Sequence, residues 1–181
     1  IERDFGTLKR LRGTPMALSS YFIGKVVSVF FSMVVQIVLL LIFGITLFHL
    51  HLPSSSDKWI RFVLLTLLGT LTATILGIAF SAVPKTGKGA SAVVSPVVII
   101  LQFFSGVFFV FTTLPKWMQQ VAAIFPLKWL TQGMRSVFLP ESFAKQEVVH
   151  SWELGRTYLI LLAWLVFGTL FALRKFRWSD K

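Results

Sequence analysis

The chain has 181 residues, 55% hydrophobic and 14% charged, with a mean hydropathy of +0.78, well above the apolar content of a soluble domain; a soluble enzyme, a disordered tail and a free DNA-binding module are excluded together. The net charge is +11, from 18 Lys and Arg against 7 Asp and Glu. The basic residues gather at the ends of apolar runs, as topology signals do, and not along a face that could track phosphates, so nucleic acid is not an expected partner.

The first segment, 1–15, places Ile1, Phe5, Leu8 and Leu11 at steps of four, three and three, one apolar stripe on a short helix. Arg3, Lys9, Arg10 and Arg12 supply basic flanks. Gly13 and Thr14-Pro15 then end the helix, because Gly favours a helix stop and the residue before Pro is biased away from helix. Such a helix lies at a surface, and an interfacial anchor on anionic lipid has the same pattern. The chain opens on Ile1 with no cleavable leader ahead of its first apolar run, so it is expected to begin inside a longer protein.

Four apolar runs follow, at about 26–48, 62–83, 92–111 and 157–173. A bilayer core of about 30 Å needs roughly 20 residues per helix, and spanning segments must satisfy their own backbone hydrogen bonds, so the runs are expected to be transmembrane helices. The first carries Ser28, Ser32 and Gln36 in register, and the third carries Ser95, Gln102 and Gly106 on one face. The second spaces Gly69, Ala73, Gly77 and Ser81 every four residues, a stripe that lets another backbone approach closely. Ordinary packing within a bundle, a subunit interface and a translocation path are all compatible with these stripes. No Asp, Glu, Lys or Arg lies deep in a run, so a charged proton relay has no visible carrier.

Between the third and fourth runs, Pro115 opens a stretch in which Trp117, Val121, Ile124 and Phe125 share a helical face. Pro126 interrupts it. Lys128–Leu139 repeats the pattern through Leu130, Met134, Val137 and Phe138 until Pro140. Each piece is too short to span, and Trp117 and Trp129 are interfacial residue types. The natural reading is a re-entrant helical hairpin over about 115–139, whose non-helical apex needs shelter from neighbouring helices; two helices lying flat on the membrane are the other.

Lys and Arg counts orient the chain. Eleven lie in 1–25, the 84–91 turn and the tail from Arg174 onward, against seven on the opposite side. The termini are therefore expected in the cytoplasm and the hairpin outside. His49, His51 and His150 offer no third ligand for a metal, no Ser or Thr has an acid–base partner that marks a nucleophile, and the absence of Cys removes thiolate chemistry.

Glu2-Arg3-x-x-Gly6-Thr7-Leu8-x-x-Leu11-x-x-Thr14-Pro15, set just before a span, resembles the coupling helix of the ABC type 2 exporter permeases. Ser105-Gly106-Val107-Phe108-Phe109, Leu114-Pro115, Pro126-Leu127 and a Gly133-Met134-Arg135 turn are similar to that family's extracellular hairpin. The two motifs bracket one permease domain over 1–181. Lys9 departs from the acidic residue that family members often place after Gly-Thr-Leu.

The resemblance implies an all-α membrane protein holding four of an expected six transmembrane helices, with a cytoplasmic coupling helix and an extracellular re-entrant hairpin. It further implies outward movement of an amphipathic substrate (drug, antibiotic, lipid or glycan, with drug-like multidrug efflux the first expectation) across a bacterial plasma membrane. Glu2, Arg3, Phe5, Gly6, Thr7, Leu8, Leu11, Thr14 and Pro15 would meet a separate ABC ATPase subunit. A second permease copy or a paralogue would face this one across a path marked by Ser28, Ser32, Gln36, Ser95 and Gln102, with Gly69, Ala73 and Gly77 packing helices and Pro115, Trp117, Pro126 and Trp129 shaping the hairpin. The chain carries no phosphate loop: the nearest string, 85–91, has Ala82 and Gly89 where Gly and Ser or Thr are required. ATP and Mg would thus be held by the partner, and no cofactor or metal by this chain. A non-transporting membrane anchor or assembly subunit is the alternative, and a membrane-embedded enzyme a more distant one.

Overall fold

The computed structural model describes residues 18–81 and 87–175. They form α1 (Leu18–Phe48), α2 (Ser56–Ser81), α3 (Gly87–Phe104), α4 (Lys116–Ile124), α5 (Pro126–Phe138) and α6 (Leu154–Lys175), with short 3-10 turns at Phe111–Thr113 and Glu141–Gln146 and no strand among the described residues. Val26–Phe48, Ser56–Phe80 and Leu154–Arg174 are long and apolar enough to cross a membrane, and α3 adds the shorter apolar stretch Val94–Phe104. The chain is an all-α membrane protein, as its composition predicts. The expected coupling helix over 1–15 lies outside the described residues.

Several boundaries differ from the sequence expectation, the starts of α1 and α3 among them, and two have a visible local reason. The second run was expected to start near 62, yet α2 begins at Ser56 and takes in Lys58 and Arg61. Both cations have partners: Lys58 Nζ donates to the Leu139 carbonyl at 2.9 Å, and Arg61 Nη1 to the Ser136 carbonyl and hydroxyl at 3.3 Å, so neither charge has to end the helix. The third run was expected to reach 111, but α3 stops at Phe104. Gly106 sits at φ +78°, in the left-handed region that only glycine adopts freely, and turns the chain out of the helix. The fourth run grows at both ends, to Leu154–Lys175.

The core is built on α2, α5 and α6. Leu65, Val137 and Leu161, one from each helix, are buried together, wrapped by Phe62, Leu68, Leu130, Met134, Phe138 and Tyr158. The α5 stripe read from the sequence, Leu130, Met134, Val137 and Phe138, is the face that enters this core. Close approach depends on glycines: a Cβ on Gly133 would stand 2.8 Å from Leu65 Cδ1, and one on Gly69 2.7 Å from Leu130 Cδ1. Further along, Gly168 of α6 receives Ile75 and Leu76 of α2, and Ile78, Ala79 and Ala172 form a second buried cluster. Thr72 Oγ1, buried, donates to Leu68 O within α2 and to Leu161 O across to α6 at 3.3 Å. α1 makes far less contact, meeting α2 alone to any extent and leaving large apolar side chains exposed around its whole circumference.

The short helices divide at Phe125, whose extended backbone (φ −89°, ψ 147°) separates α4 from the Pro126 start of α5. The apex is held from two sides: Trp129 Nε1 donates to Ala123 O at 2.7 Å and Trp164 Nε1 of α6 to Ile124 O at 2.8 Å, with Phe125 stacked on Trp164. The Gly133-Met134-Arg135 turn expected by resemblance is absent; these residues lie within α5. Gly133 is needed there to admit Leu65, not to bend the chain.

Candidate functional site

One face of α5 is polar and buried. Lys128, Gln132 and Arg135 recur at steps of four and three, followed by Ser136, and the first two are 4% and 1% exposed. Lys128 Nζ donates to Gln132 Oε1 and lies 3.5 Å from the centroid of the Trp129 ring and 5.2 Å from that of Phe111. Such cation–π contacts offset part of the desolvation of an ammonium. The balance is still unfavourable to charge: burial lowers the Lys128 pKa from 10.5 to about 8, with Arg135 and Arg156 adding to the fall and Glu153 and Glu147 opposing it. α5 does not span, and Lys128 stands in its first turn.

Gln132 Nε2 donates to the carbonyls of Trp152 at 3.1 Å and Ser151 at 3.3 Å. That segment is flanked by His150 and Glu153, at φ 54° and 45°, conformations that cost energy for residues with a Cβ; Gln132 thus helps hold a bent approach to α6. Arg135 joins three pieces of chain. Its Nε and Nη2 reach Glu147 Oε1 at 2.9 and 2.8 Å, and Nη1 donates to Gly106 O at 3.3 Å. Trp152 Nε1 donates to Glu141 Oε2 at 2.9 Å, tying the second 3-10 turn to the same cluster.

Beside this face opens a cleft of about 320 Å³. Its walls are the 106–112 loop, Leu139, Phe143, Gln146 and Trp152, and Arg135 and Glu147 are the charged groups in it. Glu147 is 7% exposed. A site of this size and lining, mostly apolar with a small polar patch, suits an apolar moiety with one polar end.

The residues singled out from the sequence fall elsewhere. Ser28, Ser32 and Gln36 lie exposed on α1, where Ser32 Oγ donates to its own helix at Ser28 O. Ser95 is exposed and Gln102 half-buried on α3, and no hydrogen bond joins the two groups among the described residues. Of the small-residue stripe, Gly69 is a close-packed position, whereas Ala73 is exposed and Gly77 faces open space. Pro115 and Pro126 open α4 and α5 as expected, and Trp129 is buried. Trp117 is 58% exposed, meeting Phe104 edge-on, and with Val121 and Ile124 it turns the apolar face of α4 outward. Lys128, Gln132, Arg135 and Glu147 went unnoticed. The first three form a polar i, i+4, i+7 row inside an otherwise apolar helix, a pattern that marks costly burial, whereas Glu147 lies outside α5 and carries no such signal.

Comparison with known proteins agrees with this architecture. The family model for the ABC-2 type transporter matches residues 1–139. The chain is 26% identical over 173 residues to a putative transport permease, ycf38, of Porphyra purpurea, covering 92% of this chain and 59% of that relative. It thus spans a little over half the length of the relative. No solved structure matches. With three helices of bilayer length, a fourth shorter apolar one and a family match over most of its residues, the chain belongs to the ABC-2 type transporter membrane family.

Proposed function

We propose that the chain is the membrane-spanning subunit of an ATP-driven exporter, moving an amphipathic substrate outward with energy from a separate ABC ATPase. The carrying observation is the family match over residues 1–139, which takes in both the 1–15 segment and the short helices α4 and α5. In this reading 1–15 is a cytoplasmic coupling helix, and Phe5, Leu8 and Leu11 seat its apolar stripe in a groove of the ATPase, which alone holds ATP and Mg. α1, α2, α3 and α6 cross the plasma membrane, with α4 and α5 re-entering from outside and a second permease copy facing this one.

The packing suits such a transmission. α2, α5 and α6 share one core, while α1, the helix that follows 1–15, is joined to it lightly. A push on a rigid helix with few contacts displaces that helix against a body that stays intact, and packed interfaces convert such shifts into discrete states. Ser28, Ser32 and Gln36 ride on α1, and Ser95 and Gln102 on α3, so movement of α1 would shift the first group relative to the second.

The test begins with the full-length protein purified from its native membrane in mild detergent. An ATPase subunit should co-elute, and Leu8→Asp should abolish substrate-coupled hydrolysis and efflux while membrane insertion is unchanged. Efflux by the Leu8→Asp protein at the wild-type rate would refute the coupling role of 1–15. Gln36→Leu and Gln102→Leu should lower efflux at normal expression, and unaltered efflux would remove them from the path.

A further inference from the structure

We propose that the cleft between the 106–112 loop and the Arg135 end of α5 binds the acidic head group of an amphiphile, with Arg135 as the direct donor and Lys128 as a second positive charge behind it. The walls decide the apolar half: Val107, Phe109, Phe111 and Phe143 line a volume of about 320 Å³, enough for a short alkyl or aryl group and more apolar than a small hydrated anion would use.

The local charge balance decides the head group. Among the described residues Glu147 pairs with Arg135 and Glu153 with Arg156, and Glu141 accepts from Trp152. Lys128, 4% exposed, has an amide oxygen and two rings in contact, and among the described residues no carboxylate is ion-paired with it, Glu153 and Glu147 acting from farther off. Lys128 is not itself a wall of the cleft, so an anion there acts on its buried ammonium through space, across the Phe111 ring, a stabilisation that a neutral or cationic group does not supply. Arg135 lines the cleft, and Glu147 engages it through Oε1 alone, leaving further guanidinium N–H groups for an oxyanion. Phe111 connects the two cations: it lines the cleft, and its ring faces Lys128 Nζ. Ser105 adds a fully buried hydroxyl without a partner, one residue before the cleft wall begins at Gly106.

The head group's chemistry is shared by an acidic bilayer lipid and by an acidic amphiphilic cargo. Only the second source rests on the exporter reading. The experiment measures binding of dodecyl phosphate, dodecanol and inorganic phosphate to the full-length protein in phosphatidylcholine nanodiscs. Dodecyl phosphate should bind at least about tenfold more tightly than dodecanol, as a charge in a partly buried site implies, and inorganic phosphate far more weakly than either. Lys128→Gln should lower the preference for the phosphate ester several-fold, the part not supplied by Arg135, and Lys128→Arg should retain it. Phe143→Ala, at an exposed wall position, should weaken both alkyl probes alike without disturbing the fold.

Equal affinity for dodecyl phosphate and dodecanol, or a preference untouched by Lys128→Gln in a protein of unchanged helix content, would overturn the site. Inorganic phosphate binding as tightly as its dodecyl ester would overturn the amphiphile. Adding one-fifth phosphatidylglycerol to the nanodiscs separates the sources: displacement of the probe assigns the site to lipid, and undiminished binding assigns it to cargo. Absence of any co-purifying ATPase from the wild-type protein, with the head-group preference intact, would refute the exporter reading alone.

Discussion

At the level of single residues, glycines and one buried cation carry the most testable consequences. Gly133 and Gly77 both sit in helices, yet the space around them is opposite. A Cβ at 133 meets Leu65 and Thr157 within 3.2 Å, whereas at 77 nothing lies within 4 Å. Gly133→Val should therefore destabilise the protein by about 1–3 kcal/mol through overpacking, read as a lower thermal midpoint in detergent, and Gly77→Ala should leave it equal or raised by up to about 1 kcal/mol from helix propensity. A stripe of small residues in a sequence does not say which members touch a neighbour; of the two glycines in the α2 stripe, Gly69 is closely packed and Gly77 faces open space. Lys128 gives a pH dependence of definite sign. Its folded pKa of about 8 lies below the ordinary 10.5, so between these values the unfolded chain holds a proton that the folded one has released, and stability rises with pH across that window. The full shift corresponds to about 3 kcal/mol. Thermal midpoints of the wild type and Lys128→Met from pH 7 to 10 should show this rise in the wild type and lose that component in the variant.

Elements show which parts of the chain announce themselves. The division of α4 from α5 was legible because Pro126 removes a donor and forces the preceding residue out of helix, and Phe125 is extended as that requires. The end of α3 was not. Val107–Val110 continues the apolar run beyond Gly106, and hydropathy alone cannot distinguish an apolar helix from an apolar loop that returns to line a cleft. The start of α2 was hidden for a complementary reason, since Lys58 and Arg61 look like a boundary until the α5 carbonyls that receive them are known. The buried polar face of α5 depends on tertiary partners drawn from 106 and 147–152, which no local pattern reveals. Arg135 bridges these partners, so removing its counter-charge should loosen the whole set. Glu147→Gln is expected to cost about 1–3 kcal/mol, below the range for a fully buried pair because Arg135 retains some solvent access. Faster amide hydrogen exchange over 105–111 and 147–153, with α2 and α6 unchanged, would identify the bridge as the cause, whereas faster exchange throughout would point to general unfolding.

Across the whole molecule, the contrast between a packed α2–α5–α6 body and a lightly attached α1 has a mechanical meaning. Leu65, Val137 and Leu161 interlock three helices, and the close seats of Leu65 on Gly133, Leu130 on Gly69 and Ile75 on Gly168 leave little room to slide, so the body has one arrangement of low energy. α1 exposes Phe31, Leu40, Leu47 and Phe48 among many others, and shifting it breaks few contacts. Were nucleotide binding by a partner ATPase to act through 1–15, the displacement would follow the weakest interface. These 181 residues contain no cysteine, so paired spin labels can be placed among them without a competing site in the same stretch. Labels at Leu40→Cys on α1 and Leu162→Cys on α6, both exposed positions, should change separation by several ångströms between nucleotide-free and nucleotide-trapped transporter. Labels at Val63→Cys on α2 and Leu159→Cys on α6, also exposed, should keep theirs. If both distances shifted together the body would not be rigid, and if neither moved, α1 would not be the element that carries the stroke; a change confined to the first pair is what a moving helix against a fixed core requires.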